Sequence, residues 1–348
     1  MIRIDTNKID KWDEIQKNQV EYFKCCVESE LSNLYVDKNK YTKKRRKNNS
    51  DEFEYYYYLD KKDRNKIEEL FGGVFSTKKE KSIFRVSNEE NLNTIICGQI
   101  KDIINLFEKY KLNDKLIRRI FNYDKFCKED KEWNRHKFIS KMNIKVCPYC
   151  NRQYITNYYN AKYSKIKATA DLDHYLSQKK YPYLALSLFN LIPCCQICNS
   201  RFKLDKDFKN NPHIYPYEEK FGDNAIFRIT GETIESLLGE NDEFEIYFDV
   251  KELNIDKKEK IYNSIKTFHL DELYNNHKDY VREMIKKSII YSDDKIKELL
   301  QDFPGLFDSN YELERIIFGN YIGKDELGKR PLSKLTKDIL EDLGLKFE

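Results

Sequence analysis

The sequence predicts an α+β protein in which a compact, cysteine-clamped module is embedded in a mainly α-helical frame. Three observations predict it. Through much of the first 140 residues, and again from Asp256 to Leu300, apolar residues recur at three- and four-residue spacing, the period of amphipathic helices. Between residues 147 and 216, five of the seven prolines (Pro148, Pro182, Pro193, Pro212, Pro216) and five of the nine cysteines (Cys147, Cys150, Cys194, Cys195, Cys198) crowd into a fifth of the chain. Proline at that density excludes long helices and marks something small and irregular. Charge follows the same partition: Lys137 to Lys220 holds 14 basic and 6 acidic residues, a net of +8, and leaves −4 for the rest of a chain whose total is +4. A basic module in a mildly acidic frame points to a polyanionic partner for the module alone.

Taken in order, Asn91 to Leu112 and Asp114 to Phe126 read as amphipathic helices, through Ile95, Ile96, Ile103, Ile104 and Phe107 and then Leu116, Ile117, Ile120 and Phe121. The run Lys43 to Lys47, followed by Asn-Asn-Ser, reads as a solvated loop. Glu243 to Val250 alternates like a strand, and the helical stretch after it ends before Pro304. Three consecutive regions result: a helical 1–140, the cysteine module at 141–221, and 222–348 with a short strand followed by helices. With 348 residues and 14% aromatics the chain can bury real cores, which excludes a disordered or fibrous protein.

No apolar stretch approaches the roughly 18 to 20 residues that span a bilayer. The longest, Leu184 to Ile192, is interrupted by Ser187 and Asn190. The start, MIRIDTNKIDKWDE, carries charge throughout and lacks the apolar segment of a signal peptide, so a cytoplasmic protein with no membrane partner is expected. Nine cysteines in such a chain read as metal ligands, catalytic thiols or small buried hydrophobes before they read as disulfides.

Cys147-Pro-Tyr-Cys150 and Cys195-Gln-Ile-Cys198 are two C-x-x-C pairs that can supply four thiolates to a tetrahedral structural Zn2+. The 44 residues between them exceed the spacing of compact zinc ribbons, so the intervening segment would be a folded insertion clamped at its ends. CPYC also resembles a glutaredoxin active site. The strand-like NRQYITNYY after it is not the helix such a site needs, and the second pair would be unexplained. Cys194 could replace Cys195 as a ligand.

Inside the clamp lie Asp171-Leu172-Asp173-His174 and Asn190-Leu191-Ile192-Pro193, and its last cysteine opens Cys198-Asn199-Ser200-Arg201-Phe202-Lys203. Hydrolysing a phosphodiester requires a water deprotonated near neutral pH and an oxygen-liganded divalent cation to neutralise charge on the phosphorus oxygens. His174 suits the base, because an ordinary imidazole is mostly neutral at pH 7. Asp173 and the amide oxygen of Asn199 are hard ligands for Mg2+ or Mn2+, and Asn190 can hydrogen-bond and orient the imidazole. CPYCNR, LDHY, KYPYLALSLFNLIPCC and CQICNSRFK together resemble the HNH (ββα-metal) endonucleases with flanking zinc knuckles, and the larger antiphage-defence HNH nucleases of the Septu and retron-associated type. The resemblance implies a hairpin with Asp173 and His174 on its first strand, a helix starting near Asn199, and an ATPase partner.

The resemblance also implies a lysine three residues after the asparagine. Here Lys203 comes four after Asn199, which leaves Arg201 as a substitute phosphate contact. Asp171 shares a strand face with Asp173 and is either a further ligand or a solvated edge residue. His213 could complete the metal site or be a turn histidine packed on tyrosines, whereas His136, His269 and His277 read as structural. Tyr154, Tyr158, Tyr159 and Tyr163 could stack on bases, but a module poor in aliphatics needs aromatics as core, which is the favoured reading. The function expected is a metal-dependent endonuclease acting on DNA. The alternatives are a catalytically silent zinc-ribbon module that binds nucleic acid, and an HNH-type RNase.

Overall fold

A computed structural model describes residues 1–32, 61–78, 81–128, 132–160, 165–231 and 233–345. The basic run at Lys43 to Lys47 and Tyr163 lie outside the described residues. The chain divides into two units. One comprises Asp10–Met142 and His174–Ile192, the other Met1–Ile9, Asn143–Asp173 and Pro193–Glu348.

In the first unit, α1 (Trp12–Ser32) buries Ile15, Gln19, Phe23, Val27 and Leu31, one face at four-residue spacing. Then come α2 (Lys61–Phe71), the hairpin β1 (Ser76–Lys78) and β2 (Lys81–Ile83), α3 (Glu89–Cys97), α4 (Ile100–Tyr110), α5 (Asp114–Ile120), α6 (Tyr123–Phe126) and α7 (Arg135–Met142). The single helix expected over 91–112 is broken at Gly98, which is extended; a Cβ there would stand 2.4 Å from the Thr94 carbonyl oxygen. Asn88, Asn113 and Asn122 cap α3, α5 and α6 with their side-chain oxygens. Phe23, Phe71, Phe107 and Phe121 form the centre of the core. The segment 174–192 is anchored on these helices. Gln19, fully buried, accepts from the Trp133 indole at 2.7 Å and donates to the Leu186 carbonyl at 2.8 Å, while Ser187 donates to the Ile95 carbonyl. A buried amide satisfied on both sides fixes that segment as firmly as an apolar contact would.

The second unit carries three more antiparallel pairs: β3 (Asn157–Asn160) with β4 (Lys165–Ala168), β5 (Asp171–His174) with β6 (Leu191–Cys194), and β7 (Ala225–Gly231) with β8 (Phe244–Val250). The boundary between units runs through β5 and β6, so His174, Leu191 and Ile192 belong to the helical unit. After β7 comes α8 (Ile234–Leu237), and after β8 come α9 (Ile255–Thr267), α10 (Leu270–Tyr274), α11 (Lys278–Ile290), α12 (Asp293–Asp302), α13 (Asn310–Phe318) and α14 (Ser333–Asp342). The helical stretch expected over 256–300 is thus four helices, parted first at His269, whose backbone is left-handed. Helix α14 is buried along nearly its whole length. Lys334 reaches Asp338 at 2.6 Å and the Gly222 carbonyl at 2.9 Å, and Asp338 accepts from the Phe227 amide of β7.

Helices mixed with small antiparallel sheets are compatible with the α+β class. Among the described residues no helix is long and apolar enough to cross a membrane.

Candidate metal centre and acid-base residues

Cys147, Cys150, Cys195 and Cys198 are buried and their sulfurs all lie within 4.8 Å of one another. Tetrahedral zinc with Zn–S bonds of about 2.3 Å places its sulfurs about 3.8 Å apart, and Cys150 Sγ stands 3.9 Å from Cys195 Sγ. The four thiols therefore fit a structural Zn2+. Cys194 is also buried but is not one of the four, which assigns the ligand to Cys195. The other three thiols hydrogen-bond to Cys195 and pull its pKa well below the ordinary thiol range.

Each pair sits on a tight turn. The amide of Arg152 points at Cys150 Sγ and the amide of Cys198 at Cys195 Sγ, at 3.4 and 3.5 Å. The first turn closes through Asn151, whose φ is 51°. Asparagine is among the few residues besides glycine that take this conformation readily. Its side chain donates to the Leu327 carbonyl and accepts from the Lys334 amide, and Tyr274 Oη donates to the Cys150 carbonyl at 2.7 Å. The C-terminal helices thus brace the first turn, and the Asn after C-x-x-C was the sequence signal for it.

Asp173 is buried, and both carboxylate oxygens are occupied: Oδ1 by Lys203 Nζ at 2.8 Å and Oδ2 by Tyr149 Oη at 2.6 Å. Lys203, whose spacing had put a phosphate contact in doubt, is itself buried and lies 4.9 Å from the centre of the Phe208 ring. Its extra residue of spacing has a structural explanation. Cys198 to Lys203 is a π-helix, closed by the Leu204 amide on the Asn199 carbonyl, and this wider turn absorbs one more residue between Asn199 and Lys203 than an α-helix would. Nothing in the sequence separates a π-turn from an α-turn here. Tyr149 had no signal either, being an interior position of C-x-x-C.

Asp171 and Asn199, 28 positions apart in sequence, meet at 3.0 Å: Asn199 Nδ2 donates to Asp171 Oδ2, which also accepts from Ser200 Oγ. Asn199 thus turns its amide nitrogen toward the carboxylate, and both residues are half-buried. Asp173 does not fit as a ligand in this arrangement, since a cation there would have to displace Lys203. Arg201 is exposed.

His174 and Asn190 are both buried in the helical unit. His174 Nε2 lies 3.0 Å from the Ala185 carbonyl oxygen, which can only accept, so Nε2 carries the proton and the lone pair of the neutral ring is on Nδ1. The Tyr123 ring packs edge-on with the imidazole, the ring centres 4.5 Å apart. Asn190 was expected to orient the ring directly. Instead its side chain accepts from the Leu176 amide and donates to the Leu176 and Leu184 carbonyls, at 2.8 to 3.1 Å. It ties the backbone two residues after His174 to the backbone just before Ala185, and the Ala185 carbonyl holds the ring.

His213 stacks on Phe208 at 3.7 Å. Nδ1 donates to the Asn211 carbonyl, so Nε2 accepts from the Thr267 hydroxyl at 2.8 Å. With both nitrogens used it has no lone pair for a metal. Burial pulls its pKa down to about 4. His277 accepts from Arg152 Nε at 3.0 Å, and burial lowers its pKa as well.

Comparison of the chain with family models, with curated proteins and with solved structures gives no match in any of the three.

Proposed function

We propose that this chain is a cytoplasmic, metal-dependent endonuclease that hydrolyses phosphodiester bonds of DNA, with zinc as a structural clamp, and that it is the effector of an antiphage defence system. The observation that carries the reading is the meeting of Asp171, on the strand that also holds Asp173 and His174, with Asn199, the residue after the second cysteine pair. The roles follow from each group's chemistry. Asp171 and Asn199 would hold the divalent ion, and bound there it supplies positive charge to the phosphorus oxygens as they become more negative. His174 takes a proton from the attacking water on Nδ1, and the Ala185 carbonyl, hydrogen-bonded to Nε2–H, keeps that tautomer and gains strength as the ring becomes cationic. Asn190 is a positioning residue acting through the backbone of Leu176 and Leu184. The defence role and an ATPase partner rest on the HNH resemblance, and co-purification of such a partner is their test.

Purified chain given Mg2+ or Mn2+ should nick plasmid DNA. His174→Ala should lower the rate by roughly 10²- to 10⁴-fold, the range for a general base, with zinc content and melting temperature unchanged. Cleavage of RNA but not DNA would move the target. No cleavage of either by the parent chain would overturn the reading. The saturated carboxylate of Asp173 favours a second reading, a zinc-clamped module that binds nucleic acid without chemistry, and that last outcome would support it.

A further inference from the structure

The tyrosines after the first cysteine turn were expected in the core, and two of them are not there. Tyr149, Tyr175, Tyr215 and Tyr217 are buried, whereas Tyr154 and Tyr158 are 55% and 51% exposed. Their order explains it. From Tyr154 to Tyr158 the chain is extended and alternates, Ile155 turning inward while Tyr154, Thr156 and Tyr158 turn to solvent. Strand β4 pairs so that Lys167 lies directly opposite Tyr158, on the same face of the hairpin. The Thr169 hydroxyl and amide close the base of the hairpin on Thr156. From Asn143 to Ala170 the sequence has five basic residues (Lys145, Arg152, Lys162, Lys165, Lys167) and no acidic one.

We infer that the solvent face of the β3–β4 hairpin is a binding surface for an unpaired stretch of nucleic acid, with Tyr154 and Tyr158 stacking on bases and Lys167 facing the phosphates. An exposed aromatic stripe alone would suit many partners. Its place in a segment with positive charge only selects a polyanion with flat apolar faces, which describes single-stranded nucleic acid. At about 3.3 Å per residue the two rings stand roughly 13 Å apart along the strand, so each can take a different base. The hairpin runs through Thr169 and Ala170 directly into Asp171, so a strand held on it would be tethered next to the residues assigned to cleavage. The inference rests on the nuclease reading for that purpose, but its test does not.

The test uses the full chain carrying His174→Ala, which prevents cleavage, and anisotropy of a labelled oligothymidine against a duplex of equal length. Tyr154→Ser and Tyr158→Ser should each weaken oligothymidine binding about five-fold or more, and change duplex binding by less than about two-fold. Tyr→Phe at either site should restore it, because stacking needs the ring and not the hydroxyl. Lys167→Gln should flatten the salt dependence by about 0.7 in the logarithmic slope, the value for one phosphate on a single strand. Unaltered affinity of the serine variants, or no binding by the parent, would overturn the proposal. Tyrosine-dependent binding by a chain whose His174 form never cleaves would leave the surface standing and remove the nuclease reading alone.

Discussion

Among single residues, Asp173 and Lys203 carry a large energetic stake. An ammonium and a carboxylate, 1% and 3% exposed, are tolerable in a protein interior only as a pair. Lys203→Met should therefore cost roughly 3 to 5 kcal/mol of stability by stranding the Asp173 charge, read as a lower urea midpoint. Adding Asp173→Asn should recover much of that loss, because the charge leaves with its partner; additive losses would show that the two do not act as a pair. The same variants separate stability from chemistry. If Asp173 only supports the fold, Asp173→Asn retains cleavage, whereas Asp171→Asn abolishes it. Sequence alone placed Asp171 and Asp173 on one strand face and gave the cation to Asp173. Which oxygen is open depended on a tyrosine 24 residues upstream and a lysine 30 downstream, contacts with no local signature.

Elements show the same division between pattern and placement. Helical periodicity was legible along the chain, but Gly98 and the left-handed His269 cut two long expected helices, since a break at one residue barely disturbs an apolar period. Docking of α9 illustrates a contact that local pattern cannot reveal. The 211–214 segment is pinned to that helix at three points: Asn263 donates to the Pro212 carbonyl, Ser264 accepts from the Ile214 amide, and Thr267 donates to His213. His213 must be neutral for this, and Lys203 and Lys206 also oppose its charge. Its folded pKa of about 4 lies below the ordinary value of 6.5, so between these limits the unfolded chain binds more protons. The contribution of His213 is then fully present above about pH 6.5 and drains away as pH falls toward 4. His213→Phe should accordingly flatten the fall in melting temperature between neutral pH and pH 4.5. An unchanged slope would show that the buried imidazole is not the group titrating.

Over the whole molecule, the four sulfurs are a long-range constraint, joining positions 147 to 150 with 195 to 198. Structural zinc in such sites contributes roughly 10 kcal/mol or more of apparent folding free energy at pH 7. Cys150→Ser should then abolish bound zinc and lower the melting temperature sharply, whereas Cys194→Ser should keep one zinc per chain. Equal zinc in both variants would refute the ligand set. The two C-x-x-C pairs, the helical periods and the basic module were determined by sequence alone, because each is a local spacing or a count that needs no partner. Tertiary structure alone decided that 174–192 packs with the N-terminal helices, that C-terminal helices brace the first cysteine turn, and that Asp171 and not Asp173 keeps an available oxygen. The physical reason is range. Burial and hydrogen-bond saturation are set by groups tens of residues away, and a linear pattern carries no record of which distant group arrives.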